Sequence, residues 1–435
     1  MLDRTKEENA TVQNTKIQFF LLAVVWVFNS FKPEWTIPGL RAIAILQPAI
    51  LLILFLYWIA SLKNIPGNPL TKYILSFLIL IIVSSYFSRN NGLGRETIQG
   101  TFFLCITYLA TITFANSTDR IFKIFNIFIL GNLLIAILGI KGGGIIPSVA
   151  IYADENDLAL IMNVLFPITL FLGVGENDKL KRIFYFFSTG LFVTVIVLTN
   201  SRGGFVGFVA VAMFAWFMLP VSKIKSTFVI MAIIITMALF APKSFWDEMK
   251  TIEQGSEEST AGSRIYLWKI AVREFVDNPI IGVGINNFGI WLPDYVRPDD
   301  TYSDGKPVRG TTTAYGRVNH SIYFTLLSEL GSIGVILYFL MIRRFYKEVS
   351  YTYPILESDI SNKEESSRKI LLAENMEKCR KLSLGVAGGM IGFLVSGIFL
   401  SVLYYPQFWL LCSLAVILGN CKKSLAAESA IVAGS

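Results

Sequence analysis

Long apolar segments constrain the fold of this chain more than any other feature. They recur between residues 17 and 420, and a helix needs roughly 20 mainly apolar residues to cross the hydrocarbon core of a bilayer. The mean hydropathy is +0.58 and 16% of the residues are charged, whereas about a quarter are charged in soluble globular proteins. The sequence therefore predicts an all-α fold, a polytopic bundle of membrane helices.

Twelve transmembrane segments follow from this length rule, with interfacial aromatic residues completing the shorter ones. We place them at 17–31, 41–62, 72–88, 100–115, 121–140, 157–174, 182–199, 203–219, 224–240, 321–342, 383–403 and 406–420. The first and fourth are short, and only Asn200-Ser201-Arg202-Gly203 separates the seventh from the eighth. The prediction is therefore about twelve spans, with a range of about ten to twelve.

Basic residues in the short connecting segments indicate the orientation, because Lys and Arg concentrate on the cytoplasmic side. With the N-terminus inside, the inner segments contain Arg4, Lys6, Lys16, Lys63, Lys72, Arg120, Lys123, Lys179, Lys181, Arg182, Lys223, Lys225, Lys422 and Lys423. The outer segments contain only Lys32, Arg41, Arg89, Arg95, Lys141 and Arg202. This bias supports the chosen orientation and accounts for the positive net charge through membrane topology, so we expect membrane lipids and no nucleic acid as partners.

The orientation divides the chain into membrane and polar parts. We expect an inner tail at 1–16, spans one to nine in 17–240, a long outer loop at 241–320, span ten at 321–342, an inner loop with a surface helix at 343–382, the last two spans in 383–420 and a loose inner tail at 421–435. The N-terminus lacks a cleavage pattern for a removable signal peptide. The four cysteines follow no metal-ligand spacing, so we expect neither a zinc site nor a disulfide framework.

The outer loop contains a predicted amphipathic helix. Ser263 is a suitable N-cap for a helix from Arg264 to Val276. At 100° per residue, one apolar stripe with Arg264 at its edge contains Ile265, Trp268, Val272 and Phe275, and Arg273 faces the opposite side toward water. Gly282, Gly284 and Gly289 then predict a tight, close-packed turn region, and 294–318 a flap that leads to His320.

His320 is the single histidine of the chain and lies where the outer loop becomes the apolar helix of span ten. An ordinary histidine pKa of about 6.5 would let it take a proton from an attacking hydroxyl near neutral pH. The alternative interpretation is a polar side chain at a helix start with no chemistry. Two arginines at other junctions between loop and helix on the same side favour the functional hypothesis.

Those arginines are Arg202, in Ser201-Arg202-Gly203-Gly204, and Arg264. Helix starts expose unpaired N–H groups, adjacent glycines let an anion approach the backbone, and a guanidinium pairs with phosphate oxygens. The two together would suit a lipid-linked diphosphate at the membrane surface, whereas snorkelling toward lipid headgroups is the alternative. The sequence contains no metal-ligand cluster, so the simplest chemistry is a displacement of a diphosphate leaving group without metal or other cofactor.

Secondary candidates surround this set. Asp154 and Asn156 lie at the outer start of span six, where acids commonly cap a helix; acceptor binding or pairing with an arginine is the functional alternative. Glu329 lies about 13 Å deeper than His320 on the same helix, so we expect it to pair helices structurally. Asn319 directly precedes His320 and is the remaining candidate.

Taken together, these motifs resemble the O-antigen ligase and polymerase superfamily. The resemblance covers about residues 150–420 and rests on Ser201-Arg202-Gly203-Gly204, Gly262-Ser263-Arg264 with Trp268, Asn278-Pro279-Ile280-Ile281-Gly282-Val283-Gly284, Asn319-His320-Ser321, Glu329-Leu330-Gly331 and Phe408-Trp409. It implies an inverting, metal-independent glycosyltransferase of bacterial inner membranes that uses an undecaprenyl-diphosphate-linked glycan at the periplasmic face. In that family picture, Arg202 and Arg264 hold the diphosphate and His320 activates the acceptor hydroxyl.

The branch of the superfamily and one different class of protein remain as alternatives. We favour a ligase with lipid A core or a protein hydroxyl as acceptor over a polymerase, which uses a second lipid-linked glycan. A flippase of lipid-linked glycans would place ionisable residues along a path at the membrane midplane. Here the candidates other than Glu329 lie at the outer rim, which favours an enzyme.

Overall fold

A computed structural model describes residues 2–37, 39–60, 67–219, 259–301, 315–350 and 363–434, with isolated positions at 223–224, 227–228, 231 and 246. These residues form an all-helical bundle, as expected. The helices are α1 (Leu2–Phe31), α2 (Pro33–Thr36), α3 (Leu46–Ala60), α4 (Pro69–Tyr86), α5 (Asn91–Phe114), α6 (Thr118–Lys141), α7 (Glu155–Val174), α8 (Lys179–Leu198), α9 (Arg202–Met218), α10 (Ser259–Asp277), α11 (Phe288–Tyr295), α12 (Ile322–Val349), α13 (Lys363–Ser396) and α14 (Pro406–Gly434).

Nine helices of the described part are long and apolar enough to cross a membrane. They are Arg41–Ala60, Pro69–Tyr86, Asn91–Phe114, Thr118–Lys141, Glu155–Val174, Lys179–Leu198, Ile322–Val349, Lys369–Phe399 and Pro406–Ala430, and two shorter apolar helices are Thr15–Phe31 and Arg202–Met218. Together they correspond to the predicted spans one to eight and ten to twelve. The predicted ninth span, 224–240, lies almost entirely outside the described residues, as do most of 241–258 and the flap at 302–314.

The starts of four helices lie at one end of the bundle. The links α7–α8 and α8–α9 are only a few residues long, too short to recross a membrane, so α7 and α9 begin on the same side. Before α14, the Tyr405 hydroxyl donates to Asp157 in the first turn of α7 (2.9 Å). The Ser401 hydroxyl donates to Asn319, directly before α12 (3.2 Å). We call this side the His320 end.

Helices α7 and α13 form the tightly packed centre. A Cβ at Gly385 would lie 2.6 Å from the Ile168 Cα, one at Gly389 would lie 2.7 Å from the Val164 carbonyl oxygen, and one at Gly392 would lie 2.6 Å from the Asn163 carbonyl oxygen. Small residues allow the backbones of two membrane helices to approach closely. Van der Waals contact then stabilises the pair, because the hydrophobic effect does not drive helix association within lipid. This pair forms the frame for the His320 end.

Helix α12 is interrupted at Gly331, where φ is 61° and ψ is −159°. The segment 279–284 fills the break through backbone hydrogen bonds. The N–H groups of Val283 and Gly284 donate to the carbonyls of Ser328 (2.8 Å) and Glu329 (3.1 Å), and those of Ser332 and Ile333 donate to Pro279 (2.9 Å) and Ile280 (3.2 Å). The predicted close-packed turn is therefore a segment docked into the membrane helix.

Two segments that were expected on the inner side are more helical than predicted. The surface helix expected within 343–382 forms the first part of α13, which begins at Lys363 and continues without interruption into the last but one span. Its Leu372 and Met376 are buried, whereas Ile370 and Leu371 are exposed. The expectation of a loose C-terminal tail is wrong, because α14 continues to Gly434 through residues that include several alanines, the strongest helix former.

We expect Gly331→Ala to reduce the free energy of unfolding by about 1–3 kcal/mol, because this backbone conformation is accessible almost only to glycine. An added Cβ would also lie 2.6 Å from the carbonyl carbon and oxygen of Ile280. Thermal unfolding in detergent measures the effect. Gly190→Ala is the matched control, since a Cβ there meets no atom within 4 Å. Equal transitions for both variants would contradict the docking of 279–284.

Candidate functional site

His320 lies in the turn directly before α12, with φ of 52°, a left-handed conformation that is uncommon outside glycine. Its neighbour Asn319 is buried and holds this turn. The Asn319 Oδ1 accepts hydrogen bonds from the Ser321 N–H (3.1 Å), the Thr325 hydroxyl (2.8 Å) and the Ser401 hydroxyl (3.2 Å). The secondary candidate Asn319 thus links the starts of α12 and α14 and sets the backbone from which His320 projects.

Helix α10 is attached to the same turn through Trp268. The Trp268 Nε1 donates to the Asn319 carbonyl oxygen (2.9 Å), and its ring stacks on Phe324 with centroids 4.9 Å apart and an interplanar angle of 13°. Arg264 lies four residues earlier, one turn away on the same helix face. Docking of Trp268 therefore brings Arg264 to His320, and the two side chains interact electrostatically.

Burial is the largest influence on His320 and lowers its pKa below the ordinary value of 6.5. The positive charge of Arg264 lowers the pKa further, Asp154 raises it, and Arg317 lowers it by the smallest contribution. Both buried surroundings and nearby cations disfavour the imidazolium. His320 is therefore held as a neutral imidazole, the form that accepts a proton, between guanidinium groups and one carboxylate.

Arg202 lies at the neighbouring corner formed by the starts of α7 and α9. The N-cap Ser201 accepts from the Gly204 N–H (2.8 Å) and donates to the Asn156 Oδ1 (2.6 Å), and the Asn156 amide donates to Asp154 (3.0 Å). Asp154 is itself the N-cap of α7, as the capping interpretation predicted. The predicted residues Arg202, Asn156 and Asp154 therefore share one corner, and Asp154 connects it electrostatically to His320.

The glycines after Arg202 serve helix packing, contrary to the expectation that they open the backbone to an anion. Gly203 and Gly204 are buried. A Cβ at Gly204 would lie 2.4 Å from the Ala159 Cβ, and one at Gly207 would lie 2.2 Å from the Ser396 hydroxyl. The N–H of Gly204 is already occupied by Ser201. These glycines let α9 approach α7 and α13, so the prediction of an anion site at this corner rests on the Arg202 side chain and not on the glycine backbone.

Three predictions about α10 are wrong. The helix begins at Ser259, so Ser263 is not its cap and Arg264 lies in the second turn. Ile265 and Val272, expected on the buried stripe, are 49% and 41% exposed. The buried face contains Tyr266, Leu267, Ile270, Ala271 and Glu274. The periodicity placed the stripe incorrectly because α10 buries the polar side chain of Glu274 inside the protein together with its apolar residues.

Arg273 also differs from the expectation that it faces water. Its Nη1 and Nη2 donate to the two carboxylate oxygens of Asp300 at 2.6 and 2.7 Å, and its side chain is only 13% exposed. This paired geometry, together with hydrogen bonds from Arg297 N–H and Tyr266, holds the pKa of Asp300 well below its usual range. Arg273 therefore anchors α10 to the chain beyond α11, and Arg264 is the arginine of α10 that lies by His320.

Glu329 is buried beside the break in α12. Its carboxylate accepts from the N–H groups of Asn286 (2.8 Å) and Phe288 (3.5 Å) and from the Tyr404 hydroxyl (2.8 Å). These bonds link α12 to the docked segment and to the chain before α14. A structural link between helices is the role that the sequence analysis favoured for this residue.

Two polar features of the site were missed from the sequence. Glu274 is fully buried, and burial followed by the charge of Glu329 raises its pKa to about 10, so it is neutral at neutral pH. The hydroxyls of the adjacent residues Tyr404 and Tyr405 donate hydrogen bonds to Glu329 and Asp157, respectively. No local signal marks either feature, because each depends on partners far away in the chain. No cluster of three or more His, Cys, Asp or Glu with metal-binding geometry occurs within the described ranges.

Comparison with known families assigns the central part of the chain. The family model for O-antigen ligase, Wzy_C, matches residues 187–339, which include Arg202, Arg264, His320 and Glu329. No curated protein matched the sequence. The family match does not separate ligases from polymerases. Residues 187–339 thus match the O-antigen ligase family, and they lie within a bundle of helices that are long and apolar enough to cross a membrane.

Proposed function

We propose that this protein transfers a glycan from an undecaprenyl-diphosphate carrier to an acceptor hydroxyl, as a ligase does, at the periplasmic face of a bacterial inner membrane. The observation that carries the proposal is the left-handed turn that holds His320 beside Arg264 and within electrostatic reach of Asp154, in buried surroundings that lower its pKa. A neutral imidazole can accept the proton of the attacking hydroxyl, and fixed cations beside it can stabilise the anion that leaves.

The reaction is a single displacement at the anomeric carbon of the donor glycan. The acceptor oxygen forms a bond to that carbon while the bond from carbon to the diphosphate oxygen breaks, which inverts the configuration. The hydroxyl proton passes to His320, and the electron pair of the broken bond leaves on undecaprenyl diphosphate. Arg264 and Arg202 stabilise the diphosphate charge, so that guanidinium groups perform the electrostatic work without a metal ion.

Asp154 and Asn156 support this arrangement from the α7 corner. Asp154 caps α7 and opposes the effect of the arginines on the pKa of His320. Asn156 holds the cap residue directly before Arg202. A polymerase would use the same donor and base, and would differ only in taking a second lipid-linked glycan as acceptor.

Replacing the base tests the proposal first. We expect His320→Ala to reduce the rate of glycan transfer by about 10²- to 10⁴-fold, the usual contribution of a general base. The assay follows transfer by the purified protein in detergent, with binding of undecaprenyl diphosphate as the measure of an intact donor site. Full activity in a variant that still binds the carrier would remove His320 from the reaction.

The arginines should affect the affinity for the carrier. We expect Arg264→Gln and Arg202→Gln each to weaken the binding of undecaprenyl diphosphate by about 10- to 100-fold, because each removes a charge-assisted hydrogen bond. Arg95→Gln is the matched control, since Arg95 is exposed in the second turn of α5 and is not among the charges that shift the pKa of His320. If both site variants bind as tightly as the control, the diphosphate lies elsewhere.

The pH dependence should follow the charges around His320. Only the neutral imidazole accepts a proton, so kcat/KM falls as the pH drops through the pKa of His320, which lies below 6.5. Asp154 raises this pKa and Arg317 lowers it. We expect Asp154→Asn, which retains a capping side chain, to move the acidic limb to lower pH, and Arg317→Gln to move it to higher pH. Shifts in the same direction would argue against His320 as the titrating base.

A further inference from the structure

Two cavities lie next to the turn that carries His320. One, of about 440 Å³, is lined by residues that include Tyr315, Arg317, Asn319 and Glu329. We call it the upper cavity. The other, of about 610 Å³, is lined from α1, α3 and α5, and we call it the lower cavity. Both volumes fall within the range of about 300–1,000 Å³ typical of small-molecule sites.

The two cavities adjoin. Asn286, Ser401 and Tyr404 line both of them. Ser401 also bonds Asn319, the residue before His320. A ligand that fills both cavities would therefore extend from the interior of the helix bundle to the turn that carries the proposed base.

The lower cavity lies along a membrane helix. Its lining residues on α5 extend from Glu96 to Thr107, a distance of about 16 Å along the helix at about 1.5 Å per residue. Three further polar residues line the cavity: Asn29 of α1, Lys32 directly after α1, and Gln47 of α3. Asn29, Gln47 and Thr107 lie within membrane helices, where polar side chains are expensive and commonly mark a substrate path. The amide, hydroxyl and carboxyl groups that line the cavity can pair with sugar hydroxyls.

Among the described residues, helix α3 lies between this cavity and the outside of the bundle. Gln47, Pro48 and Leu51 line the cavity, yet only 11% of the membrane window of Arg41–Ala60 is buried, against 33% to 78% for the other candidate spans of the described part. Most side chains of α3 therefore face outward. A molecule in the lower cavity is one helix away from the bilayer, where its own lipid anchor can remain.

We propose that the two cavities together bind the saccharide of a membrane-anchored acceptor, which reaches His320 from the side of α1, α3 and α5. This inference rests on the proposed function and locates its second substrate. The residues lining the cavities include none from α7 or α9, whose starts form the corner assigned to the donor diphosphate. Donor and acceptor thus approach the 319–320 turn from different groups of helices. A soluble protein acceptor would have to insert between membrane helices to occupy the lower cavity.

Filling the lower cavity tests the inference. Gly100 lines it, and a Cβ there meets no atom within 4 Å, so Gly100→Trp should occupy the cavity without disturbing the helices. Gln47→Trp fills it from the α3 wall. Gly190→Trp is the control, because Gly190 is also helical, exposed and open to a side chain. We expect each cavity variant to raise the KM for the acceptor about tenfold or more, with unchanged binding of undecaprenyl diphosphate and no effect of the control substitution.

Three acceptors separate the possible sources of the saccharide: lipid A core without an attached glycan, a single repeat on undecaprenyl diphosphate, and a serine-containing peptide. Impaired use of either lipid-anchored acceptor supports the inference, and the acceptor that is used identifies a ligase or a polymerase. Unchanged KM in both cavity variants, or transfer only to the peptide, overturns it while leaving the proposed function intact if His320→Ala is inactive. Absence of transfer by the wild-type protein to every acceptor overturns both.

Discussion

The docking of 279–284 into the break of α12 is the constraint on which the rest of the site depends. The break leaves carbonyl and N–H groups without helical partners about 13 Å along α12 from its start. Such groups cost several kcal/mol each in a membrane unless protein satisfies them. Four backbone hydrogen bonds from 279–284 do so. Gly282 and Gly331 make the contact possible, because a Cβ at either would lie within 2.6 Å of the opposing backbone.

This docked segment determines where α10 lies. The helix ends at Asp277, directly before the segment, and at its other side Trp268 bonds the carbonyl of Asn319. Two fixed points on one rigid helix leave little freedom for Arg264, which is held over the His320 turn. Arg273 adds a third attachment through Asp300. The segment that contains α10 is thus anchored into the bundle through backbone, aromatic and ionic contacts, and the position of Arg264 follows from those contacts.

The electrostatics of the site are consistent with its burial. A histidine in partly buried surroundings beside Arg264 and Arg317 is kept neutral, and Asp154 moderates the effect. The same fold buries acids away from those cations, with Glu274 kept protonated and Glu329 saturated by donors from the docked segment and Tyr404. Carboxylates that link the framework are therefore separated from the carboxylate that influences the base. The lower cavity lies apart from the α7 and α9 corner as well, because its helical walls come mainly from α1, α3 and α5.

The apolar segments alone determined the all-helical class and eleven of the spans in the described part, since the bilayer imposes one length on every crossing helix. The glycine pattern after Asn278 and the single histidine before span ten also located the docked segment and the candidate base. Local periodicity could not predict the buried face of α10, the packing role of Gly203 and Gly204, or the lower cavity lined from α1, α3 and α5. Each of these depends on which distant surface a residue meets. A sequence specifies local geometry and hydrophobicity, whereas the neighbours that bury Glu274, pair Arg273 and bring Arg264 to His320 exist only once the helices are packed together.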